Sequence, residues 1–208
     1  MFNHRQELLR RTSQFVGYLK NMHHRAHVEA YGSCFIIFEE QPPQRVFGDR
    51  ALSETATPAR ERLISESDCL GFDGLSVTQE DLEINLPDEG WRDDNSRSRF
   101  IQFSMERNWF CLDMPLQTLF RGEAEQILRS RRGFFYLRDR PEFTLHGEDV
   151  DGYDPFRKIY IYGDEESAAE DMASIFFQVW KFPVDWRFYV TAAAFGASTD
   201  WERGVPVE

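Results

Sequence analysis

FRKIYIYGDEESAAEDMASIFFQVWKFP, residues 156–183, carries the clearest strand, turn and helix signals of the chain. In its first seven residues Ile159 and Ile161 alternate with Lys158, Tyr160 and Tyr162, a period of two that predicts a strand with one apolar and one amphipathic face. Gly163 and Asp164 end that run. Asp164 is placed to cap a helix, and Glu165 and Glu166 put negative charge in the first turn, where the helix dipole favours it. Ala168, Met172, Ile175, Phe176 and Val179 then recur at helical spacing. Cap and dipole contribute about 1 kcal/mol each, whereas burial of Met172, Ile175, Phe176, Val179 and Trp180 contributes about 1.5–3 kcal/mol per side chain. Packing dominates, so the stretch predicts a core strand and a helix that crosses the sheet and ends near Pro183.

Upstream, Leu8, Leu9, Phe15, Val16, Leu19 and Met22 form a helical stripe over residues 6–28, with Arg10, Arg11, Lys20 and Arg25 largely off it. The apolar run 33–38, SCFIIF, reads as a buried strand that Pro42 and Pro43 terminate. Residues 39–97 read as an insertion or long loop region. Within it, 75–86 offers short alternating pieces that suit a hairpin, and 87–99 is polar and turn-rich. FIQFSM (100–105) and WFCLDM (109–114) predict a hairpin, 116–131 a helix stopped by Gly133, and 134–137 another strand. Residues 186–195 suit a strand or a helix equally. Short strands segregated from about three helices indicate a single α+β domain, an antiparallel sheet with the helices mainly on one face.

The layout of RFIQFSMERNWFCLDM, LQTLFRGEAEQILRSRRG and KIYIYGDEESAAEDMASIFFQVW resembles the type III secretion chaperone-like superfamily, in its YbjN or TY-Chap branches. The resemblance covers residues 5–38 and 98–183 and rests on element order. It implies protein binding or chaperoning and carries over no catalytic residue.

The 24 basic and 36 acidic residues, a formal net charge of -12, disfavour nucleic acid as a partner. Cys34, Cys69 and Cys111 are odd in number and widely spaced in apolar surroundings, which suits buried thiols in a reducing compartment. A cytoplasmic protein is expected, since residues 1–15 lack the apolar core of a signal peptide and no apolar run reaches the roughly 18 residues of a membrane span.

His23 and His27, four apart on the first helix, share a face that suits an imidazole-binding metal. Two histidines do not close a site, so surface histidines are the plainer reading. Asp149, Asp151 and Asp154 surround Gly152 as oxygen ligands would, but the spacing departs from a calcium loop. The acids Asp164, Glu165, Glu166, Glu170 and Asp171 are mostly assigned to the helix start and its outer face, with a docking patch for a basic partner as the alternative. No nucleophile elbow or phosphate-binding glycine loop occurs, and the three cysteines lie in segments expected to turn inward. No catalytic, cofactor-binding or metal residue is therefore assigned, and no cofactor is expected.

The FF and WF doublets on strands must send one ring away from the core, and an exposed aromatic face is a binding surface. The expected function is a non-enzymatic, chaperone-like interaction module that binds a protein partner, a second copy included, through an aromatic sheet or helix face. The alternatives are an acidic immunity or inhibitor protein for a basic toxin and a metal-dependent hydrolase using His23, His27 and the 149–154 acids.

Overall fold

The computed structural model describes residues 4–27, 33–40, 86–88, 90–92, 98–106, 108–145, 155–195 and 202–207, all within one compact unit. They form helices α1 (His4–His27), α2 (Arg121–Ser130) and α3 (Glu165–Ser174). The strands are β1 (Cys34–Glu39), β2 (Phe100–Met105), β3 (Trp109–Pro115), β4 (Phe135–Tyr136), β5 (Pro155–Ile161), β6 (Phe188–Ala194) and β7 (Glu202–Val207). The strands make one seven-stranded sheet in the order β4-β5-β3-β2-β1-β6-β7, and every neighbouring pair is antiparallel. The α+β reading holds. The expected hairpin 75–86 lies outside the described residues apart from Leu86, which is buried.

Register divides the sheet into two faces. Cys34, Ile36, Phe38, Ile101, Phe103, Met105, Phe110, Leu112, Met114, Phe156, Tyr160, Phe188 and Val190 point to one side and join a single core with Phe15, Leu19 and Met22 of α1, Ala124 and Ile127 of α2, and Met172 and Phe176 beyond α3's middle. Phe15 lies edge-on to Phe38 at 5.5 Å and to Phe188 at 6.1 Å, and Phe176 meets Phe188 at 4.2 Å. One knot of rings thus fastens α1 and the end of α3 to the centre of the sheet.

Several local expectations are corrected. The helix expected over 116–131 is split into a 3-10 turn, Leu116–Thr118, and α2, because Leu119 is extended (φ -120°, ψ 134°) and fully buried. A continuous helix would carry that side chain off the core. Gly133, with φ 89°, ends the segment as expected. Asp164 occupies the cap position of α3 but makes no side-chain cap bond; the Gly163 N–H instead donates to Glu165. After Ser174 the helix widens into a π-turn, Ile175–Val179, in which the Trp180 N–H reaches back five residues to Ile175 at 2.8 Å. Lys181 leaves it in the left-handed region at φ 61°.

Arg11, expected off the buried stripe, is only 2% exposed: its guanidinium donates to the carbonyls of Val184 and Val207, tying α1 to β7. Residues 186–195 resolve as strand β6, paired with β1, and β7 had no counterpart in the sequence reading. The polar stretch 87–99 is anchored where it is described: Trp91 stacks on Phe156 and donates to the Pro87 carbonyl, and the Arg92 N–H bonds Leu119.

Truncating Phe176 to Ala is expected to cost about 3–5 kcal/mol, whereas Ile161→Ala, at a side chain 62% exposed, should change stability by less than about 0.5 kcal/mol. Urea unfolding of both variants measures the contrast; equal losses would mean that the core is not where the rings place it.

Candidate functional site

Helices α1, α2 and α3 all contribute to the core on the first face. The turn Pro141–Phe143 lies against the second face, through the Phe135–Phe143 ring contact and the Phe143 carbonyl that accepts from Arg157. Register orders this second face into rows. Thr191, Ile37, Gln102, Asp113, Arg157 and Phe135 lie side by side across the sheet in one row, and Ala193, Phe35, Ser104, Cys111 and Ile159 in the next. Trp109 and Ile161 pair beyond it, at the same end as Phe195, whose ring is 5.3 Å from Phe35.

The first of these rows is polar at its centre and closed. Asp113 and Arg157 are both fully buried and joined by two parallel bonds, Nε to Oδ1 at 2.7 Å and Nη2 to Oδ2 at 2.8 Å. Directly opposed in register, they fix β3 against β5. Two charges leave water for this pairing, so its net contribution is small, but either one alone would be a buried, uncompensated ion. The rows beyond it are mixed: Ser104 and Cys111 are fully buried at the centre of the second, the Ser33 hydroxyl donates to Glu106 in the last, and apolar side chains at the two edges are partly open. Ile161 is 62% and Phe195 45% exposed, with Trp109, Phe35 and Ile159 half-buried between them. These apolar side chains fall in two groups, at β6 and β1 and at β3 and β5, whose outer members Phe195 and Ile161 are four interstrand steps or about 19 Å apart.

The two faces expected of β5 are present: Lys158 and Tyr160, its amphipathic side, face the helices, and the isoleucine side faces outward. The reason is a buried acid on α3: Asp171, 3% exposed, accepts from Lys158 and from the Tyr160 hydroxyl (2.8 Å) and pairs with Arg131 at 3.3 Å. Burial, then the Asp171 charge, raises the Tyr160 hydroxyl well above its ordinary pKa and keeps it a donor. Glu165 and Glu166 stand in the first turn of α3 as expected, though Glu165 is 4% exposed, and Glu166 and Glu170 face solvent; Asp171 alone departs from the outer-face assignment.

Glu165 meets the histidines. Its Oε1 is 3.0 Å from His23 Nδ1, and Tyr162 stacks on the His23 ring at 3.8 Å with His27 edge-on to both. The Tyr162 hydroxyl donates to the Glu106 carbonyl, and burial raises its pKa. His23 and His27 are thus brought together, while Asp149, Asp151 and Asp154 lie outside the described residues. Among the described residues no group of three or more histidine, cysteine or acidic side chains is placed to hold a metal ion. Cys34 and Cys111 are buried free thiols, and burial pushes Cys34 up to about 12. Cys69 lies outside the described residues.

The doublets split as their alternation requires: Phe110 is buried while Trp109 is half-exposed on the second face, and Phe134 is buried while Phe135 turns to that face. The inward turn of Lys158 had no signal in β5 alone; Asp171, thirteen residues on at an inward helix position, was the one available hint. No helix of the described residues is long and apolar enough to cross a membrane. No protein-family model, curated protein or solved structure matches this chain.

Asp113→Ala, which strands the Arg157 guanidinium, is expected to cost about 3–5 kcal/mol, and pairing it with Arg157→Met should restore most of the loss in a denaturant titration. Glu39, half-buried on the second face, has its carboxyl pKa raised by burial, against the Thr191 hydroxyl that lowers it. A raised acid favours the folded state in its protonated form, so ionisation costs stability as pH rises from 4.5, the ordinary value, through the raised one. Glu39→Gln should therefore raise the unfolding midpoint at pH 7, with the gain fading toward pH 4.

Proposed function

We propose that this chain is a non-enzymatic protein-interaction module, and that the end of the second sheet face bounded by Ile161 and Phe195 receives an apolar segment of a basic protein partner. The observation that carries the reading is the exposure of two large apolar side chains, Phe195 and Ile161, at the two edges of one end of the sheet face to which no described helix contributes core residues. A span of about 19 Å suits six extended residues or three to four helical turns. The chain's charge of -12 selects among partners: long-range attraction favours a basic one and speeds encounter. The element-order resemblance to the type III secretion chaperone-like superfamily supports the same class of function.

Replacing Ile161 or Phe195 with a photoreactive phenylalanine in the full chain, expressed in its own host, tests this. One shared protein adduct at both positions is expected, none at the solvent-facing control Glu166, and dissociation of the isolated complex by 0.5–1 M salt, roughly where charge attraction is screened to a few ångströms. Matching adducts at Glu166, or none at Ile161 and Phe195, would overturn the reading; an adduct of two copies of the chain would replace the basic partner with self-association.

A further inference from the structure

We propose that His23 and His27 form an open, bidentate site for a transition-metal ion, zinc foremost, with water in the remaining coordination positions. The two imidazoles are one helical turn apart on α1, with ring centroids 4.8 Å apart. An ion about 2.0–2.1 Å from each coordinating nitrogen lies about 3.2 Å from each centroid, so two imidazoles at right-angled to tetrahedral bond angles have centroids about 4.5–5.2 Å apart. The observed spacing falls within that range.

His23 is held as a ligand histidine is held. A carboxylate only accepts hydrogen bonds, so the 3.0 Å contact to Glu165 puts a proton on Nδ1, which in the neutral ring leaves the lone pair on Nε2. Glu165 is itself fixed, since its side chain is 6% exposed and its second oxygen accepts from the Gly163 N–H. This is the carboxylate–histidine arrangement that orients metal ligands and raises their basicity. Tyr162, flat against the His23 ring, restricts its rotation. The site remains reachable, because the His23 side chain is 34% exposed and His27 is exposed.

Imidazole pairs favour zinc, copper and nickel over calcium or magnesium, which require oxygen ligands. Two protein ligands leave positions open to exchange, unlike a closed structural site. The test is a zinc titration of the chelator-treated full chain at pH 7.5 against a chromophoric chelator. One equivalent should bind with a dissociation constant below about 100 µM. His27→Ala, at an exposed position, should weaken binding at least tenfold, and Glu165→Gln about tenfold or more through the orientation of His23. His24→Ala, on another side of α1, should leave it unchanged. Binding that survives His27→Ala intact, or no saturable binding up to about 100 µM zinc, overturns the proposal.

Discussion

The contact on which most of the structure depends is the ring knot of Phe15, Phe38, Phe176 and Phe188. Strands β5 and β6 run parallel, since four antiparallel steps separate them through β3, β2 and β1. A parallel return needs a long crossover, and α3 with its π-turn supplies it. Phe176 sits in that turn at 4.2 Å from Phe188, the first residue of β6, so one ring contact closes the crossover and starts the next strand. Phe15 adds α1 to the same point, and Arg11, one turn away on that helix, reaches the Val207 carbonyl at the far edge of the sheet. Helix α1 and strand β7 are thereby held to one core.

The outer parts of the fold follow from charge placement. Asp171 gathers Lys158, Tyr160 and Arg131, and so fixes which side of β5 faces the helices. Once Lys158 is turned inward, period-two alternation leaves Ile159 and Ile161 no other side. The exposure of Ile161 is therefore the counterpart of a buried acid on the opposite face. Asp113 and Arg157 complete the arrangement: they occupy second-face positions of the same two strands and are sealed, whereas Ile161 and Phe195 at the end of that face are exposed.

How much of this was legible depended on whether the signal was local. The 156–183 stretch, the 100–114 hairpin and α1 have unambiguous periods, and they were read within a few residues of their observed bounds. Residues 116–131 were misread because period alone does not register one extended residue, Leu119, that rejoins the core. β6 has the alternation of Phe188, Val190 and Ala192 inward, but its three alanines suit a helix equally, and only pairing with β1 decides. β7, with Pro206 and Gly204 in six residues, has almost no strand propensity of its own and is a strand because β6 offers an edge. At the candidate site, the doublet argument required one ring of each pair to turn outward without saying which, and they are Trp109 and Phe135, whereas the outward turn of Ile161 depended on Asp171 and could not be read from β5.

Buried acids also change what the net charge means. Asp113, Asp171 and Glu165 are nearly inaccessible to water, and each is bound to a cation or an imidazole, so these three add little to the field a partner feels. Field strength at the surface comes from exposed acids such as Glu166, Glu170 and Asp88, while the buried ones act through geometry. Asp113 sets strand register, Asp171 chooses the outward face of β5, and Glu165 orients an imidazole. An acidic composition, read as a single number, merges long-range attraction with short-range placement; in this fold the second produces the surface on which the first can act.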